Sequence, residues 1–286
     1  MTALRQRFIE DLQLHGFAAS TQQVYVTAVK LLARHYDQSP DLLTEEQIRQ
    51  YFLHLTNVRK VSRSNATITL CAIKFLYEHT LHRPWPVFRL ARPRREHKIP
   101  AVMSREEVRR LLDCFNPDFY RVYFTTVYAC GLRLSEGVQL QVGDVDGERL
   151  LLHIRGKGGK DRNVPLPAPV LQMLRRFWKT HRSDRWLFPS PSAKVQTQTQ
   201  HISRERIQGV FEEARQRCGL NKHVTVHTLR HSYATHLLEA GVNLRLIQAI
   251  LGHNSPKTTA LYTHLTGPVC AQLDAPIQQL VQDLCP

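Results

Sequence analysis

The sequence has no run of about 18 apolar residues, so no segment reads as a membrane-spanning helix. Its first residues, MTALRQRFIEDLQLHG, are amphipathic and charged and lack the apolar core of a secretory signal. Cysteine pairs are missing as well. Cys71, Cys114, Cys130, Cys218, Cys270 and Cys285 include no C-x-x-C, and their spacing matches neither a zinc site nor a disulfide framework. Scattered reduced thiols in a cytoplasmic protein are the expectation. No cluster of Asp and Glu suggests a two-metal site, so neither a metal nor another cofactor is expected. Internal repeats and low-complexity segments are also absent.

What is present is positive charge. Lys and Arg number 39 against 24 Asp and Glu, a formal net charge of +15 over 286 residues. Such a surplus points to a polyanionic partner, because cations that neutralise phosphates release condensed counterions. The charge is not confined to a tail. Residues 1–100 carry 15 basic and 8 acidic groups, hence +7, and the remainder carries 24 and 16, hence +8. Both parts of the chain are therefore candidates to touch nucleic acid.

The first 90 residues read as helices alone. Residues 1–15 suit one helix. Ser20 and Gln23 suggest a capping box ahead of Val24, Ala28, Leu31 and Leu32, which share a helical face. Thr44 and Gln47 repeat the device ahead of Ile48, Tyr51, Phe52 and Leu55. A further helix follows Ser64, with Ile68, Ala72, Phe75 and Leu76 as its buried stripe. The stretch PWPVFRLARPRREHKIP over 84–100 opposes regular structure and gathers basic residues. It suggests domains at 1–90 and 102–286, with a basic linker at 91–101 that carries Arg92, Arg94, Arg95 and Lys98.

The second domain opens with a capping box, Ser104 to Glu107, and a helix through Tyr120–Cys130 ends at Gly131. LLLHIRGKGGKDRNVPLP reads as a hairpin with strands Leu150–Ile154 and Asn163–Leu166 around a glycine-rich turn. Helices are expected near 168–180, 203–217, 228–240 and 244–251, the last between Gly241 and Gly252. Ser255-Pro256 then supplies an N-cap with proline at the first helical position of a short helix bearing Tyr262. The final stretch AQLDAPIQQLVQDL is amphipathic.

Four separated words carry chemistry. GLRLSEGVQL holds Arg133 just past a helix end, with Glu136 three residues on. IRGKGGKDRNVPL holds Lys157, with Lys160 as its rival on the same basic turn. HTLRHSYATH holds His227 and Arg230, three apart and so on one helical face. LGHNSPKTTALYTH holds His253 and Tyr262. Attack on a phosphodiester needs a nucleophile, charge stabilisation on the phosphoryl oxygens and a proton for the leaving oxygen. Arginines can hold non-bridging oxygens bidentately, which lysine cannot. A histidine titrating near neutrality can take a tyrosine proton. Each group also has a plain structural alternative: a solvated cation, a helix cap or, for Tyr233, core packing beside Leu229, Ala234 and Leu237.

This order of Arg, Lys, His-x-x-Arg, His and Tyr, with these flanking words, resembles the tyrosine recombinases (phage integrases), in particular the Xer-like and the transposon- or integron-associated integrases. The resemblance implies a mainly α fold with a small β-sheet. A helical-bundle, core-binding N-terminal domain would precede a mixed α/β catalytic domain. It implies a site-specific recombinase that cleaves and rejoins duplex DNA through a 3′-phosphotyrosyl intermediate, as a tetramer on two DNA sites. The implied catalytic set is Arg133, Lys157, His227, Arg230, His253 and the nucleophile Tyr262, with Glu136 in support. The implied DNA contacts are Arg92, Arg94, Arg95, Lys98 and Lys160. The tail after Tyr262 would dock on a neighbouring protomer. One departure is visible: residues 167–226 leave no room for the extra segment of integron integrases, so a duplex target is expected. The alternatives are a type IB topoisomerase-like nicking-closing enzyme and a non-catalytic DNA-binding module.

Overall fold

The structure is a computed structural model and describes residues 2–83, 101–115, 118–156, 161–190, 200–252, 275–280 and 282. The chain divides into two compact units, Met1–His97 and Lys98–Pro286.

The first unit is all helical. Its helices are α1 (Ala3–Leu14), α2 (Ala19–Tyr36), α3 (Glu45–Asn57) and α4 (Arg63–Phe75), the last continued by a wider turn over Leu76–Thr80. The Thr44–Gln47 capping box forms as expected, with Gln47 N–H donating to Thr44 Oγ1 at 3.3 Å and Thr44 N–H to Gln47 Oε1 at 2.8 Å. The Ser20–Gln23 box does not. Helix α2 starts earlier, with Ala18 at its N-cap, and Gln22 Nε2 donates back to the Phe17 carbonyl at 2.6 Å. Helix α4 is capped by Ser62, two residues before the expected Ser64. The core gathers Phe8, Leu12, Leu32, Ile48, Tyr51, Ile73, Leu76 and Tyr77. Val24, Leu31 and Ile68, expected inside, are exposed. On α4 the buried stripe runs instead through Leu70, Ala72, Ile73 and Phe75.

The second unit wraps around one nearly all-buried helix. Its elements are α5 (Arg105–Asp113), α6 (Asp118–Ala129), α7 (Leu134–Val138), β1 (Val145–Asp146), β2 (Leu151–Ile154), β3 (Arg162–Pro165), α8 (Ala168–His181), α9 (Arg204–Arg217), α10 (Val226–Glu239) and α11 (Leu244–Leu251). Helix α6 is apolar on almost every face, from Tyr120 to Ala129, which suits only the centre of a core. Helices α5, α8 and α10 pack on it. The Ser104–Glu107 box caps α5 as expected.

The hairpin is present one residue off its expected bounds and gains a third strand. The sheet order is β1-β2-β3, all antiparallel, with Leu152 opposite Val164 and Ile154 opposite Arg162. Alternation places Leu152 and Ile154 inward. Strand β1 is two residues long, too short to leave a periodic signal.

Residues 275–280 are helical, and Ile277 and Leu280 lie 1% and 5% exposed in the core of this same unit. The tail is expected on a neighbouring protomer; in the single chain Ile277 and Leu280 are buried on their own domain. A helix with such a side must cover it, and the nearest apolar surface is in cis. Leu273 and Val281 of the same amphipathic stretch lie outside the described residues.

Candidate active site: three arginines, one carboxylate and a helix end

The site begins where α6 stops. Gly131 takes φ +58°, and a Cβ there would lie 2.6 Å from the Tyr233 ring and 2.8 Å from Leu251. Only glycine allows both the turn and the close approach. The turn delivers Arg133 to the N-cap of α7. Glu136 reaches back, accepting from the Arg133 backbone N–H at 2.8 Å and from Arg133 Nη1 at 2.7 Å. Arg133 is partly exposed at 37% of its side chain, so its fork reaches solvent while being held from below.

Arg230 comes from α10 and is almost completely buried. It donates to the Gly131 carbonyl at 2.7 Å and to the Leu251 carbonyl, and stands 3.7 Å from Glu136. Burial and the neighbouring Arg133 push its guanidinium down to about 9, against the pull of Glu136, so it stays charged at neutral pH. His227, three residues earlier, is exposed on the same helix, with the His231 ring 4.6 Å away, centre to centre. Partial desolvation, then His231, Arg230 and Arg133, hold it below the usual histidine range. A neutral His227 is a proton acceptor at pH 7.

Arg162 on β3 was not singled out by sequence. Its side chain is 11% exposed and forms a two-pronged bridge, Nη1 and Nη2 each 2.9 Å from one Glu136 oxygen. Its Nε donates to the Ile250 carbonyl at 2.7 Å. One signal was available: strand periodicity puts Arg162 on the face of buried Val164. Burial alone would raise the Glu136 carboxyl. The hydrogen bonds from Arg162 and Arg133 outweigh it and hold the group at about 2.

Arg133, Glu136, His227 and Arg230 thus come together. Lys157, Lys160, His253 and Tyr262 lie outside the described residues, as do Arg92, Arg94, Arg95, Lys98 and the Ser255-Pro256 cap. Tyr233, the rival tyrosine, is wholly buried in the core. Among the described residues no His, Cys, Asp and Glu are grouped to hold a metal ion. A separate open cleft of about 480 Å³, lined by Asp144, Asp146, Arg149, His153 and Asn163 among others, shares no residue with the arginine cluster. No described helix is long and apolar enough to cross a membrane.

Comparisons with known proteins bear on the family and the fold. The phage integrase family matches residues 101–267, and the phage integrase N-terminal SAM-like domain matches residues 4–87. A relative in Sinorhizobium fredii, y4qK, is 41% identical over 274 residues, 95% of this chain and 87% of its own length. Tyrosine recombinase XerA of Pyrococcus furiosus is 35% identical over 267 residues, covering 91% of this chain and 89% of that protein. In fold, a lambda integrase tetramer bound to a Holliday junction superposes with a TM-score of 0.72 at 17% identity, over 92% of this chain and 80% of that one. With a mainly helical fold, a three-stranded sheet and a buried arginine cluster at the end of α6, the chain belongs to the phage integrase, or tyrosine recombinase, family.

Proposed function

We propose that the chain is a site-specific recombinase of duplex DNA in which Tyr262 is the nucleophile and the arginine cluster is the phosphate site. The observation that carries it is the meeting of Arg133 and Arg230 over one carboxylate, with neutral His227 on the helix that supplies Arg230. Two guanidiniums can take the two non-bridging oxygens of a scissile phosphate. Tyr262 oxygen attacks phosphorus as His227 takes its proton. The phosphorus–5′ oxygen bond breaks, and the leaving oxygen takes a proton from Lys157. A 3′-phosphotyrosine and a free 5′ hydroxyl result. Attack by the 5′ hydroxyl of the exchanged strand reverses the step. His253 donates to the phosphate, and Glu136 orients the arginines. The protein's own cations carry the charge, so cleavage proceeds without a metal or other cofactor.

Residues 1–90 serve as the core-binding domain and 102–286 as the catalytic domain. The linker cations Arg92, Arg94, Arg95 and Lys98, with Lys160, hold the DNA backbone. Four subunits assemble on two sites, in the cytoplasm. The basic surplus of both parts, +7 and +8, supports a protein that wraps a duplex. The test is a nicked duplex carrying the protein's site, found by footprinting DNA that flanks its gene. Cleavage beside the nick releases a short strand that diffuses away and traps the covalent adduct. No adduct would leave a DNA-binding module. Adduct with closure but no strand exchange between two sites would leave a nicking-closing enzyme.

A further inference from the structure

Three consecutive carbonyls end helix α11, and each accepts from a different arginine. Ile250 accepts from Arg162, Leu251 from Arg230 and Gly252 from Arg133, the last at 3.3 Å. These carbonyls are the orphan acceptors of a helix C-terminus, where partial negative charge collects. Their donors come from α10, from β3 and from the turn after α6. The same three arginines share Glu136. Arg162 differs from the other two. It is 11% exposed, between Arg133 at 37% and Arg230 at 1%, and its contacts are internal. Its three donating nitrogens are all engaged, Nε by Ile250 and both Nη by Glu136. Gly252 passes so near that a Cβ there would lie 3.1 Å from Arg162 Cδ, and its φ of +62° also favours glycine.

We infer that Arg162 is a positioning residue of the phosphate site: it clamps Glu136 to the end of α11 and so fixes the Arg133 fork without touching DNA. The inference rests on the phosphate-site role proposed above for Arg133 and Arg230. The mechanism is geometric. With Arg162 in place, Glu136 is held through both oxygens and offers them to Arg133 in one orientation only. Without it, the carboxylate turns toward Arg230, and Arg133 loses its fixed partner. Misplacement of a charge-stabilising group by about 1 Å costs on the order of 100-fold in rate. Lysine at 162 keeps the charge but cannot bridge two carboxylate oxygens and a carbonyl at once.

The experiment uses the full chain on the nicked site duplex, once with an ordinary scissile phosphate and once with a methylphosphonate there. Replacing one non-bridging oxygen by methyl removes the charge that the arginines neutralise. A defect that acts through them therefore shrinks on that substrate. Arg162→Ala and Arg162→Lys are expected to bind the duplex like the parent and to form adduct on the order of 10- to 100-fold more slowly. The methylphosphonate should close most of that gap. Either variant cleaving at the parent rate, or an equal loss on both substrates, overturns the inference. So does loss of duplex binding by both variants, which would make Arg162 a folding residue. Arg230→Ala separates the two levels: if it cleaves normally, the phosphate site itself is misassigned. If it is slow while Arg162→Lys is not, only the positioning role falls.

Discussion

Arg230 stands 3.7 Å from Glu136, too far for a hydrogen bond, although it is 1% exposed. Its charge is steadied by the Gly131 and Leu251 carbonyls and remains available to an anion. Replacement by Ala should lower adduct formation by about 10²- to 10³-fold, in line with the loss of one oxyanion donor. Arg230→Lys should recover little, because one ammonium cannot span both carbonyls and a phosphate. Single-turnover trapping on the nicked duplex measures both. Parent-like trapping by the lysine variant would contradict the bidentate role.

The two tyrosines should separate cleanly. Tyr262→Phe should bind DNA as before and trap none, since only the hydroxyl proposed to attack is lost. Tyr233→Phe should trap normally. The Tyr233 hydroxyl is buried with no hydrogen-bond partner among the described residues, so its removal should leave stability within about 1 kcal/mol, on the stabilising side. Trapping followed on a denaturing gel, with urea unfolding beside it, decides the pair. Loss of adduct in the Tyr233 variant would reverse the assignment.

Stability should fall in acid in two stages. The buried His236 accepts or donates at 2.8 Å with the Tyr128 hydroxyl and is held below its usual 6.5, chiefly by burial. His227 and His231 shift the same way. The unfolded chain then binds protons first, so stability drops as pH falls through and below 6.5. Glu136 acts lower. Its pKa falls from 4.5 to about 2, so its contribution is full above 4.5 and lost towards 2. That shift corresponds to roughly 3 kcal/mol. Thermal unfolding between about pH 7.5 and 5.5 should show the first stage, flattened by His236→Asn. A melting temperature that rises on acidification would refute the sign.

The tail can be tested without DNA. Ile277 and Leu280 lie in the core of the second unit, so Ile277→Ala should destabilise the free protein by about 2–4 kcal/mol. Urea unfolding of the monomer reads this directly. Unchanged stability together with lost assembly on paired sites would return the tail to a neighbouring protomer.

Much of this molecule was visible in its sequence, and the gaps have physical causes. Thr44–Gln47 and Ser104–Glu107 became capping boxes because each sets a hydroxyl at the N-cap against an amide or carboxylate three residues on. Ser20–Gln23 did not, because Phe17 packs against Phe75 and Tyr25 and fixes where α2 enters. Periodicity found apolar stripes on α2 and α4 but not their depth, so Val24, Leu31 and Ile68 were misplaced. Arg133 and Arg230 stood out through their flanking words. Arg162 did not, because its partners lie 26 residues before it and 88 after.

That spread in sequence has a temporal meaning. During synthesis, a chain that has emerged through β3 holds Arg133, Glu136 and Arg162 but neither Arg230 nor the carbonyls of 250–252. Two arginines then face one carboxylate with no helix end to receive them. The cluster is complete only when α10 and α11 have been made, because they supply Arg230 and the carbonyls of 250–252. Nascent chains that end before α10 therefore lack the completed cluster, and the site is assembled late in synthesis.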